Sequence, residues 1–194
     1  MTKNNKKGFT IIEVVLVLAI AGLIFLMVFI ALPALQRSQR NTRRRQDMAR
    51  ILSAFNDYQA NNNGKMPENS NLGDFIKRYV GADNDAVAEK VSGTSGYGGG
   101  YILKKSSSDS SCVDQFCDPD GSSYMISGPG SGWNWSDSTK DNYKYAQQNH
   151  EIGYRQEVKC AETEGNFDDL TGQKGSIAIM YILEGGAVYC GDNQ

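Results

Sequence analysis

Gly8-Phe9-Thr10-Ile11-Ile12-Glu13-Val14-Val15-Leu16-Val17-Leu18-Ala19-Ile20 opens the segment that decides how this chain is organised. From 9 to 35, 23 of 27 residues are apolar, and only Thr10, Glu13, Gly22 and Pro33 interrupt. As a helix, residues 14–35 would reach about 33 Å at about 1.5 Å per residue. That length suits a hydrocarbon core of about 30 Å, so the segment reads as one membrane span. A secretory signal peptide also begins with a basic stretch, but its apolar region runs only about 7–15 residues and ends at small side chains. Here the bulky Leu26-Met27-Val28-Phe29-Ile30 stands where that cleavage would fall.

Working outward, the net charge of −2 hides four different pieces. Residues 1–8 carry +3 from Lys3, Lys6 and Lys7, and the apolar segment carries only Glu13. Residues 36–50 carry +5, six Arg against Asp47, while residues 51–194 carry −9. Outside the apolar segment 54 of 167 residues are apolar, enough for one small core. Such segregation excludes a uniform cytosolic globule, a collagen-like or disordered chain, and a polytopic membrane protein.

Glu13 is the anomaly inside the apolar segment. A carboxylate near the start of a membrane helix costs a few kcal/mol unless it is paired. It is either solvated at the interface or met by a cation from this chain or a neighbour.

The run from Lys6 to Ile20 resembles the N-terminus of type IV pilins and pseudopilins. The resemblance implies a basic leader, residues 1–8, that a prepilin peptidase removes at the Gly8–Phe9 junction on the cytoplasmic side. It implies N-methylation of Phe9 and an assembly role for Glu13. Gly22 falls where the family has a helix-softening glycine. Pro33 lies about one turn later than the family's common proline and marks a second weak point through its missing donor and its clash with the preceding turn. Cleavage would create an α-amine with a reference pKa near 8, cationic at neutral pH, able to pair with Glu13 of a neighbouring subunit.

After the apolar segment, residues 36–60 read as its basic, amphipathic continuation. Met48, Ile51, Leu52, Phe55 and Tyr58 follow helical spacing, which points to packing on the protein's own sheet. Asn61-Asn62-Asn63-Gly64, with Pro67 beyond, is the stop signal. Arg37, Arg40, Arg43, Arg44 and Arg45 precede that stripe. Five Arg here against three Lys in the leader would, by the positive-inside rule, place the C-terminal part in the cytoplasm. The resemblance requires the opposite, and four cysteines agree with an oxidising exterior. The arginines are expected to contact acidic faces of neighbouring subunits. Lipid phosphate before assembly is a second reading, and nucleic acid a third, unsupported by interleaved aromatic residues.

Residues 61–194 read as a β-rich globular head. Residues 74–80 and 83–91 are helix candidates, and Gly93–Gly100 is a glycine-rich loop without the Lys-Ser/Thr of a phosphate cradle. Strands are expected over 123–127, 152–159, 176–183 and 187–190, with Gly185-Gly186 as a two-residue hairpin turn. The expected fold is therefore α+β, a long N-terminal helix packed on an antiparallel sheet. Cys112 and Cys117 are close enough to pair locally, leaving Cys160 with Cys190; the alternative zinc site lacks CxxC spacing. Asp114, Asp118 and Asp120 suggest calcium, but the EF-hand pattern is absent and no metal is expected. Trp133-Asn134-Trp135 is either core or an exposed carbohydrate or receptor patch, and Asn134-Trp135-Ser136 is formally a glycosylation sequon.

One histidine, no nucleophile elbow and no framed carboxylate pair argue against an enzyme, and no cofactor is expected. The resemblance implies a pilin subunit, stored in the cytoplasmic membrane with its head outside. An assembly platform and its ATPase then extract it into an extracellular filament of its own copies. Adhesion and motility are roles that such filaments serve. A minor pilin or pseudopilin of a secretion or DNA-uptake machine is the alternative, and a non-polymerising membrane-anchored binding protein is another.

Overall fold

The computed structural model describes residues 8–68, 70–81, 86–91, 100–113, 116–128, 146–148, 150–162, 167–169 and 174–194. A single helix, α1 (Ile11–Asn61), dominates the first third of the chain. It begins two residues after Phe9, and Pro33 lies inside it without ending it. The chain divides into two compact units, residues 1–39 and 40–194. In the first unit the apolar side chains from Phe9 to Leu35 are exposed. Their window reaches a mean hydropathy of 3.2, making α1 long and apolar enough to cross a membrane.

In the second unit α1 supplies one wall of the core. Met48, Ile51 and Phe55 are fully buried, and Leu52 and Tyr58 pack partly buried beside them, as their spacing requires. The helix stops in a Schellman arrangement: Asn63 is left-handed at φ 54°, and the Gly64 amide donates to the Gln59 carbonyl at 2.9 Å. Asparagine thus takes the left-handed position usually held by glycine.

A short helix, α2 (Leu72–Phe75), leads directly into a π-helical turn, Ile76–Val80. Among the described residues eight strands follow: β1 (Val87–Val91), β2 (Gly100–Lys104), β3 (Met125–Ser127), β4 (Glu151–Gln156), β5 (Val158–Cys160), β6 (Phe167–Asp169), β7 (Ile177–Ile182) and β8 (Val188–Asp192). The main sheet has the order β1-β2-β3-β4-β7-β8, while β5 and β6 form a separate two-stranded sheet. All pairings are antiparallel except β3–β4, which is parallel. The Tyr154 ring on β4 lies 4.6 Å from that of Phe55 and tilted 43° to it, placing this face of the sheet against α1. The α+β architecture of a long helix on a mostly antiparallel sheet is therefore present.

Three local expectations need correction. The 83–91 segment is not a helix over its described part: Val87–Val91 is an edge strand paired with β2. Its Glu89 forms an ion pair with Lys104 across the strands, a cross-strand contact that helix reading of Ala-Val-Ala-Glu-Lys does not anticipate. The 152–159 strand is two strands, because Glu157 adopts φ 58° and breaks the ladder. The β7–β8 turn contains three residues, Glu184-Gly185-Gly186, closed by the Gly186 amide donating to Leu183 at 3.0 Å. Both glycines have positive φ, 99° and 92°, which explains the residue choice, while Glu184 makes the turn one residue longer than the glycine pair. The Trp133-Asn134-Trp135 motif, the sequon, Asp114 and most of the Gly93–Gly100 loop lie outside the described residues.

The two disulfides are Cys112–Cys117 and Cys160–Cys190, with Cα separations of 5.5 and 5.8 Å. The first closes a small loop ahead of β3, and the second ties β5 to β8.

Candidate functional site: a membrane-type helix start and a buried charge network

Within the first unit, Thr10 and Glu13 form a capping box. The Thr10 amide and hydroxyl both donate to Glu13 Oε2, at 2.8 and 2.9 Å, and the Glu13 amide reaches back to Thr10 Oγ1 at 3.4 Å. Thr-x-x-Glu satisfies donors that the first helical turn leaves without partners. The Glu13 carboxylate thereby has a partner inside its own helix. Gly8 and Phe9 precede this cap, and the Phe9 ring is 90% exposed. No side chain packs near Gly22, so no packing contact dictates glycine there.

The second unit centres on Arg44. Continuing the Met48–Ile51–Phe55 stripe back one turn reaches Arg44, and one turn further reaches Arg40. The apolar face of α1 therefore ends in two guanidiniums aimed at the head. Arg44 is 5% exposed and grips Asp118 at two points, Nε to Oδ2 and Nη2 to Oδ1, both 2.7 Å. Such forked pairing exploits the planar guanidinium, which lysine lacks. Arg40 grips Glu184 in the same way, at 2.7 and 2.6 Å. Asn41 locks the β7–β8 turn by donating to the Glu184 carbonyl and accepting its amide, both at 3.0 Å.

Asp118 gathers more donors. The Tyr181 hydroxyl donates to Oδ2 at 2.9 Å and the Asp120 amide to Oδ1 at 3.0 Å. His150 places Nδ1 3.6 Å from Asp118 and Nε2 3.1 Å from Asp120. Burial pushes the Asp118 carboxyl up, but Arg44 and these other donors overcome it and hold it well below the usual carboxylate range. His150 is raised above its ordinary value, first by hydrogen bonding to Asp118. Glu184 is drawn down to about 2, chiefly by its bond from Arg40.

The arrangement answers two expectations. Arg40 and Arg44 meet acids of their own chain, so the expected neighbour contacts cannot rest on Arg44, whose guanidinium is enclosed. Arg43 and Arg45 are exposed on α1, and Arg37 belongs to the first unit. Asp118, Asp120 and His150 do bring ligand atoms within 4.8 Å of one another. Both Asp118 oxygens, however, already accept from Arg44; a divalent ion would have to displace that guanidinium. The network clamps α1 to the segment after Cys117 and to the β7–β8 turn.

Sequence reading missed Asn41, Tyr181 and Glu184 as partners, and also Tyr124, whose hydroxyl donates to Asp47 Oδ2 at 3.0 Å. The signal for Arg44 was available in the helical phase; its partners, 74 and 140 residues away, had no local signature. It also missed Glu151, which is fully buried on β4. Strand alternation turns Ile152 and Tyr154 toward α1 and Glu151 toward the opposite face, that of Met180 and Ile182. Among the described residues neither carboxylate oxygen makes a hydrogen bond of good geometry, although the Ser127 hydroxyl lies close enough to oppose the effect of burial. Burial pushes this carboxyl up to about 8, so it stays neutral near neutral pH.

Residues 3–29 match a protein-family model described as the prokaryotic N-terminal methylation motif. That motif is typical of type IV pilins and pseudopilins, and it covers the Gly8–Phe9 junction, Glu13 and Gly22. We found no matching curated protein and no matching solved structure.

Proposed function

We propose, from the premise that this is a type IV pilin- or pseudopilin-like protein with an N-terminal methylation motif, that the chain is the structural subunit of an extracellular type IV pilus. Prepilin-type motifs imply processing by a prepilin peptidase and handling by an assembly machine. The proposed course is membrane storage, cleavage between Gly8 and Phe9, methylation of Phe9, extraction by an ATPase-driven platform, and helical packing of 9–35 in a filament core.

One observation carries this reading: an apolar helical segment whose side chains are exposed from Phe9 to Leu35 coincides with a motif that contains a carboxylate. In water such a surface would be driven to associate, and a membrane or a filament core is the environment that accepts it. The Thr10–Glu13 capping box supports a two-state role for Glu13. In the stored subunit its own helix cap would satisfy it; in the filament the new amine of a neighbour would take over. The pair would set axial register, since breaking either half leaves a charge in a low-dielectric surrounding. Arg43 and Arg45, the exposed cations of the second unit's helix, would meet acidic head surface on adjacent copies.

Electron microscopy of sheared surface filaments, with N-terminal sequencing of their subunit, tests the proposal. A subunit starting at methylated Phe9 and forming the filament body supports it. The same N-terminus in trace amounts within another filament assigns a minor pilin or pseudopilin instead. A chain that remains in the membrane and starts at Met1 overturns it.

A further inference from the structure

At the C-terminal end of α1 the second unit contains a polar cleft of about 740 Å³, between the helix stop and the Glu157 break in the sheet. Its rim carries the amides of Asn61 and Asn63, both exposed and making no hydrogen bond to the described residues. Its interior amides are oriented by the protein: Asn71 donates to the Tyr58 hydroxyl at 3.2 Å, and Gln156 donates to the Pro67 carbonyl at 3.4 Å. The Tyr58 ring is fixed edge-on against Phe75 and Tyr79, with centroids 5.4 and 5.2 Å away. Four backbones lining the cleft take left-handed conformations: Asn63 at φ 54°, Gly64 at 77°, Glu157 at 58° and Gly175 at 88°. Asn63 belongs to the helix stop and Glu157 to the strand break, so the cleft lies between two fixed stretches of backbone.

The lining selects among ligand classes. Lys65 and Lys174 are balanced by Glu68 and Glu157, so a polyanion gains no net attraction. Apolar anchors of a peptide would find little beyond Met66 and the Tyr58 ring. Primary amides both donate and accept, the pairing that adjacent hydroxyl groups require, and the Tyr58 ring, held by Phe75 and Tyr79, lines the same cleft. We propose that this cleft binds a neutral carbohydrate, about a di- or trisaccharide in size, through the Asn61 and Asn63 amides and the Tyr58 wall. The volume falls within the range of small-molecule sites, roughly 300–1,000 Å³. This inference does not depend on filament assembly.

The test uses the full chain in a detergent without a sugar headgroup. Chitotriose and maltotriose are titrated against it by saturation-transfer NMR and calorimetry, with trigalacturonate as the anionic control. The paired change Asn61→Ala and Asn63→Gly removes both rim amides, and glycine keeps the left-handed turn. Binding of a neutral trisaccharide that weakens about tenfold or more in this variant, with an unchanged melting temperature, supports the proposal. If the variant melts earlier, Asn61→Ala alone, which leaves the turn intact, decides by the same loss. No binding of either neutral sugar overturns it, as does binding that survives the substitutions or that favours trigalacturonate.

Discussion

Arg44 of α1 and Asp118, the residue after Cys117, form a two-point ion pair inside the head, with both contacts at 2.7 Å and both residues at most 5% exposed. Two charges withdrawn from water must be fully paired, and here each has further partners: Asn41 and Glu184 for Arg44, Tyr181 and the Asp120 amide for Asp118. Removing one member leaves the other buried alone. Arg44→Met should therefore destabilise the head by about 3–5 kcal/mol. Adding Asp118→Leu should recover more than half of that loss. Denaturant melts of the detergent-solubilised chain followed by circular dichroism would measure both, and a double variant no better than the single would contradict this account.

Neighbouring arginines should behave differently. Arg43 and Arg45 are exposed, so Arg43→Ala with Arg45→Ala should change head stability by less than about 0.5 kcal/mol. Filament yield in sheared preparations should nonetheless fall, and parent filaments should loosen as salt rises. Unchanged filament yield would remove these residues from the subunit interface.

Glu151 predicts a pH dependence. Its carboxyl is raised to about 8 in the fold, against about 4.3 in an unfolded chain. A raised carboxyl contributes stability that is complete below the unfolded value and is lost as pH rises through the folded one. Stability should thus decline between about pH 4.5 and 8, at up to roughly 1.4 kcal/mol per unit. His150, also raised, adds a loss of the same sign from its ordinary value, about 6.5, upward. Glu151→Gln should flatten most of the slope and leave the His150 part; melts from pH 5 to 9 that run parallel in parent and variant would refute it.

Glu13→Ala should leave the protein in the membrane fraction while abolishing its incorporation into filaments. Membrane fractionation and electron microscopy read the two separately. Filaments of normal number and length from this variant would remove Glu13 from assembly.

The disulfides should differ in weight. In the chain-entropy model the Cys160–Cys190 bridge, 30 positions apart, contributes about 3.7 kcal/mol, and Cys112–Cys117, 5 apart, about 2. Alanine pairs at each site, compared by thermal melts, should rank in that order. The smaller bridge has a second effect, because it precedes Asp118 directly. Its loss should loosen the grip on Asp118 and let that carboxyl rise toward its ordinary value, so the melt should depend less steeply on acid pH.

By itself the sequence determined the features whose causes are local. The apolar segment announces itself through composition, the α1 stripe through its period, and the last hairpin through Gly185-Gly186. Cysteine spacing was enough to pair the bridges because one pair lay within reach of itself. What only the tertiary structure decided is everything that depends on distant partners. Glu151 lies next to Ile152 in sequence, yet the sheet's alternation buries it on the other face. Val87–Val91 has helix-forming composition, but pairing with β2 makes it a strand. Arg44 resembles its exposed neighbours in every local respect, and only the helical phase, with Asp118 waiting 74 positions later, turns it from a surface charge into the pin that holds helix to sheet. A charge pattern states which groups must be neutralised; folding across long separations chooses the partner.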